Sequence, residues 1–152
     1  YKARENINSI AHAHPMYGKT FSTLGKTLDP ISQDSCAFYE RTALFADYDG
    51  VANGPDEGIN IAKALDDKDF VILQNHGILT TGTMVDTTIW YFLNMEDACK
   101  SQLLAEAVGK PIVIPHETAC ATRDYVANDL SAYVSFQPTV DVLWEEEPDL
   151  LD

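Results

Sequence analysis

Two hydrophobic periods run through this chain, and where they switch marks its elements. Positions 8–14 (NSIAHAH) alternate with a period of two, which predicts a short strand with Ile10, His12 and His14 on one face. Pro15 suits the first turn of a helix, since it has no amide hydrogen to lose, and that helix is expected to run past Phe21 and Leu24 to Gly25. Positions 28–31 and 42–46 read as strands, the second closed by a turn at 47–50. The NGPDE stretch at 53–57 reads as a turn leading into a helix at 59–65, followed by a solvated DDKD loop. The uninterrupted apolar run FVILQ at 70–74 predicts a central strand buried on both faces, with Asn75-His76-Gly77 at its end.

Downstream the period lengthens. Val85, Ile89, Phe92, Cys99 and Leu103 recur at three- and four-residue steps or their sums, predicting a long helix over 85–108 that Gly109 and Pro111 stop. A short extended piece at 112–114 and a further helix from 117 to about 130 complete the reading. Strands alternating with helices place the chain in the α/β or α+β class, with helices covering a central sheet.

Composition narrows the class of protein. With 152 residues, 45% hydrophobic and 22% charged, the chain can bury one globular core. It has no apolar run of 18 residues and no signal-peptide pattern. It opens on Tyr1, and YKARENI reads as the end of a helix already under way, so the expectation is that the domain's N-terminal part precedes this segment. A net charge of −14 argues against nucleic acid or an anionic membrane as partner. The acid is concentrated in positions 140–152, where Asp141, Glu145, Glu146, Glu147, Asp149 and Asp152 have no basic neighbour. That segment reads as a solvated, mobile tail; Trp144, Leu150 and Leu151 leave open the alternative of docking on a partner's groove. Cys36, Cys99 and Cys120 are odd in number and lack a CxxC pairing, so they are expected to be reduced thiols of an intracellular, cytoplasmic protein and not a zinc site.

The chemistry concentrates in the histidines. Two imidazoles two residues apart on a strand lie close enough to share a metal ion, and His76 stands at a strand end before a glycine that removes a Cβ. Packed or surface histidines are the alternative for each of these residues taken alone. His116, near a helix start, reads as a surface or capping residue.

The neighbours of these histidines change the balance. AHAHPMY at 11–17 resembles the His-x-His segment of the class II aldolase/adducin family, and QNHGILTTG at 74–82 resembles its second signature. Their order, the GPDEGINIAKAL helix between them and the long helix after Gly82 also match, so the resemblance spans about residues 1–109. QDSCAFYE at 33–40 looks more like the adducin-like branch than the sugar-phosphate aldolases. The resemblance implies a three-layer α/β/α sandwich around a mostly antiparallel sheet over residues 1–139, and a homotetramer with sites between subunits. It further implies Zn2+, or another divalent ion, on His12, His14 and His76. The implied activity is a zinc-dependent lyase (aldol cleavage or decarboxylation) or epimerase acting on a small hydroxy-carbonyl, sugar-phosphate-like substrate through a metal-stabilised enediolate. The family's acid/base glutamate and phosphate loops belong upstream of the His-x-His strand, so the catalytic residue is not expected within these 152 positions. The aldolases' catalytic tyrosine has no counterpart at Ile31, Ser32, Gln33 or Asp34; Tyr17 and Tyr39 are nearby candidates for which packing is the alternative. A non-catalytic adducin-like scaffold and a metal-free structural domain are the competing readings, against which the complete histidine set stands.

Overall fold

The computed structural model describes residues 1–47 and 55–151. In chain order the elements are β1 (Ser9–Ala13), α1 (Met16–Ser22), a 3-10 turn (Ser35–Phe38), β2 (Thr42–Phe45), α2 (Pro55–Leu65), β3 (Phe70–Leu73) and β4 (Gly77–Gly82). They are followed by α3 (Val85–Val108), α4 (His116–Val126), α5 (Asp129–Glu146) and a 3-10 turn (Pro148–Leu151). Among the described residues the sheet has four strands in the order β1-β4-β3-β2. β1 and β3 flank β4 antiparallel, and β2 runs parallel to β3. The expectation of a mostly antiparallel sheet therefore holds.

β3 explains the layering. Its four residues are all buried, and alternate side chains join different cores. Phe70 and Ile72 pack with Ile78, Phe21, Tyr91 and Met95 beneath α1 and α3. Val71 and Leu73 pack with Phe45, Leu65 and Ile7, against Ile61 and Ala64 of α2. A strand apolar on both faces needs cover on both faces, and the result is an α/β/α sandwich. Among the described residues no helix is long and apolar enough to cross a membrane.

Several expectations are corrected. Positions 28–31 form no strand: the Asp29 amide donates to Gln102 Oε1 (2.9 Å), the Pro30 carbonyl accepts from Ile114 (2.8 Å), and Pro30 itself has no amide to give a ladder. β4 is a strand that the hydrophobic pattern does not predict. It exists because Asn75 takes a left-handed φ of 58°, which asparagine tolerates, and turns the chain back within 74–76. The helix expected over 117–130 is two helices, broken at Ala127–Asn128, where the Asn128 side chain accepts from the Ser131 amide (2.9 Å) and caps α5. α5 then carries Asp141 to Glu146, so this part of the acidic segment is an exposed helix end. The turn expected at 47–50 lies, beyond Asp47, outside the described residues, as does the first part of the one at 53–57; α2 already begins at Pro55.

The long helix is present with the expected bounds but a different buried face. Thr87, Thr88, Tyr91, Met95, Ala98, Cys99 and Gln102 are buried, whereas Val85 is 64% exposed. Hydrophobic spacing misses the polar members because each is satisfied by a hydrogen bond: Thr88 Oγ1 donates to Met84 O (2.8 Å), Thr87 Oγ1 to Met84 O (3.1 Å) and Gln102 Nε2 to Asp29 Oδ2 (2.6 Å).

Candidate metal centre

The register of the sheet assembles the histidines. In β1, His12 pairs with Leu79 and Ala13 with Ile78, so His14 follows opposite Gly77. In the hairpin, Leu73 pairs with Gly77, which puts His76 in the turn just before β4. The strand pairing therefore brings two residues near the start of the chain to a third more than sixty positions on. Gly77 makes this approach possible: a Cβ there would stand 2.5 Å from the Ala13 carbonyl oxygen and 3.2 Å from His14 Cδ2. The glycine serves the passage of β1 past the turn, not only access for a ligand.

The rings meet edge to face, with centroids 5.2 Å apart for His12–His14, 5.0 Å for His12–His76 and 4.6 Å for His14–His76. One ligand nitrogen from each lies within 4.8 Å of the other two. His12 Nδ1 donates to the Ile78 carbonyl (2.9 Å), which fixes its tautomer and leaves the Nε2 lone pair for a ligand. Burial, and then the proximity of His12 and His14, hold the His76 pKa below the ordinary histidine value; Glu57 on α2 opposes this. The shift favours the neutral imidazole, which is the form that ligates.

The base of the site is anchored across the fold. Glu96 of α3 accepts from the amides of Tyr17 (2.8 Å) and Gly18, two of the unpaired donors at the N-terminus of α1. α1 begins two residues after His14, so this carboxylate ties the His-x-His-Pro segment to α3.

The remaining candidates fall elsewhere. Tyr17 lies under Lys100, whose Nζ is 5.2 Å from its ring centroid, and packs against the main core. Tyr39 Oη meets His116 Nδ1 at 3.2 Å, so these two residues form part of a separate cluster. Glu57, the carboxylate whose charge acts on His76, carries no local signal in the sequence that would pick it out.

An α/β/α sandwich with three converging imidazoles at the ends of adjacent strands defines a class of proteins with a potential divalent-metal site. The chain matches the family model "Class II Aldolase and Adducin N-terminal domain" over residues 1–103, and it belongs to that family. It is 36% identical over 150 residues to "Decarboxylase NovR" of Streptomyces niveus, covering 99% of this chain and 56% of that protein. It is 35% identical to "4-hydroxy-3-prenylphenylpyruvate oxygenase/4-hydroxy-3-prenylbenzoate synthase" of Streptomyces roseochromogenus subsp. oscitans, covering 99% of this chain and 54% of that protein. Among solved structures it resembles the L-fuculose 1-phosphate aldolase of Glaciozyma antarctica PI12, with a TM-score of 0.88 and 39% identity, covering 97% of this chain and 56% of the other. The chain thus spans about half the length of these relatives.

Proposed function

We propose that this chain carries the metal-binding part of a divalent-metal lyase or epimerase, zinc being the expected ion and a small hydroxy-carbonyl compound the substrate. The observation that supports it most is the convergence of His12, His14 and His76, with their ligand nitrogens within 4.8 Å of one another. Three neutral nitrogen donors with solvent on one side fit a divalent ion that keeps positions open for substrate. A divalent ion held there supplies Lewis-acid stabilisation of the negative charge that builds up in an aldol cleavage, decarboxylation or epimerisation. The chain's own residues hold and orient. The Ile78 carbonyl holds the His12 tautomer, Gly77 lets His14 stand beside His76, and Glu96 fixes the helix that follows His14. The relatives named as a decarboxylase and an aldolase support lyase chemistry for this chain. From the family resemblance we also propose a homotetramer.

Purified full-length protein is expected to hold a divalent ion on this site and to bind a hydroxamate far more tightly than a simple monocarboxylate, since only the hydroxamate mimics an enediolate. His76→Ala should lose both properties. Unchanged metal content at this site in that variant would refute the ligand set. The second reading is an adducin-like scaffold, favoured by the absence of a tyrosine at Ile31–Asp34. A protein that keeps its ion but shows no preference for the hydroxamate would make that reading the better one.

A further inference from the structure

A second group of metal-ligating side chains lies apart from the histidine triad, where α4 docks on the segment leading into β2. Glu40 precedes β2, and His116 and Cys120 sit one turn apart on α4. We propose that Glu40, His116 and Cys120 form a separate site for a thiophilic divalent cation, with Zn2+ as its natural occupant. The inference does not rest on the function assigned to the triad.

The distances carry the argument. Cys120 Sγ is 3.6 Å from Glu40 Oε2 and 3.8 Å from His116 Nδ1, and His116 Nδ1 is 3.7 Å from Glu40 Oε1. Tetrahedral zinc with bonds of about 2.3 Å to sulfur, 2.0–2.1 Å to nitrogen and 2.0–2.2 Å to oxygen spaces its ligand atoms at about 3.4–3.6 Å. The Sγ–Nδ1 pair therefore needs to close by only a few tenths of an ångström, and with one Glu40 oxygen the three ligand atoms lie within 4.8 Å of one another.

The supports of the site are built in. Ala119 is fully buried and seats α4, and the i, i+4 spacing turns His116 and Cys120 to the same side. Glu40 has a left-handed φ of 60°, a conformation that a glutamate seldom adopts. Arg123 Nη1 binds Glu40 Oε2 at 3.1 Å and so holds the carboxylate beside His116 and Cys120. Tyr39 Oη lies 3.2 Å from His116 Nδ1 and would give way to the ion or join it. Binding releases one proton, from the Cys120 thiol. Glu40 ligates as a carboxylate and His116 as an imidazole through Nδ1, so neither adds to the protons released. Thiolate and carboxylate together offset the double charge of the ion, and water completes the fourth position.

The experiment uses the whole chain, stripped of metal and titrated with Co2+. A cysteine ligand produces a thiolate-to-cobalt charge-transfer band in the near ultraviolet, which the all-histidine triad cannot give. The band is expected in the wild type, in His12→Ala and in the double variant His14→Ala/His76→Ala, and is expected to vanish in Cys120→Ser. His116→Ala and Glu40→Gln should each weaken Co2+ binding by at least the roughly 10-fold lost on removing even an outer-shell partner. Independently of any variant, Zn2+ but not Mg2+ should slow alkylation of Cys120, read by mass spectrometry, because Mg2+ avoids sulfur. Absence of the band in the wild type, its survival in Cys120→Ser, or equal alkylation of Cys120 with and without Zn2+ would each overturn the site.

Discussion

The histidine triad and the Glu40–His116–Cys120 cluster are both three-ligand groups, yet they are built in opposite ways. The triad hangs on a sheet, with His12 in β1, His14 just past its end and His76 in a three-residue hairpin turn, all placed by the pairing of β1 and β3 with β4. The second cluster bridges a loop residue and the side of a helix, α4, that packs on the 3-10 turn Ser35–Phe38. Backbone ladders place the first to within a ring's width; side-chain docking places the second. A pattern read along the chain finds sites of the first kind and passes over those of the second.

Removing ligands from one group while reading the other separates the two most directly. His14→Ala with His76→Ala should abolish metal binding at the triad, a loss of 100-fold or more on the order expected for a ligand compared with an outer-shell partner. The Cys120-dependent cobalt band should be unaffected. Loss of both together would show that the two groups are not separate.

Next in size is the glycine that lets β1 reach the hairpin. Gly77→Ala would place a methyl group 2.5 Å from the Ala13 carbonyl oxygen, so something must shift. We expect a cost of about 2–3 kcal/mol in denaturant unfolding, together with weakened metal binding at the triad and an intact cobalt band. A neutral Gly77→Ala would mean that β1 and the turn are looser than the ladder implies.

Glu96→Gln probes the anchor below the triad. Its carboxylate holds the amides of Tyr17 and Gly18, and glutamine can satisfy only part of that demand without its charge. A loss of about 1 kcal/mol is expected from equilibrium unfolding, comparable with removing a helix cap. No change would place the anchor in α1's packing alone.

The smallest effect concerns Glu106, Lys26 and Gln102 on the edge of α3. Hydrogen bonds from Lys26 and then Gln102 hold the Glu106 carboxyl below its ordinary pKa. A depressed acid stabilises the fold above its unfolded pKa, and that contribution is lost as pH falls through the lower folded value. Burial works against the Lys26 ammonium, but Glu106 and Asp29 outweigh it and raise its pKa, so its contribution is lost only at strongly alkaline pH. Glu106→Gln should therefore flatten the acid limb of a stability-against-pH profile by less than about 1 kcal/mol, the range of partly exposed pairs. An unchanged acid limb would show the pair to be screened out.

Features with a local cause are legible along the chain. The two-residue period places His12 and His14 on one face, the unbroken apolar run of β3 demands cover on both sides, and Pro15, Gly109 and Pro111 punctuate helices as their chemistry requires. Resemblance adds His76 as the third member of the set. Features that depend on packing between distant elements are not legible there. Polar Gln102 faces inward because the fold brings Asp29, more than seventy positions away, to its amide, which no hydrophobic spacing can reveal. Glu96 caps a helix nearly eighty residues away. Positions 28–31 lose their strand to Gln102 and Ile114, which reach the same backbone from distant elements. Glu40 stands beside His116 and Cys120 because α4 packs on the segment before β2, a contact between surfaces with no counterpart in the spacing of residues along the chain.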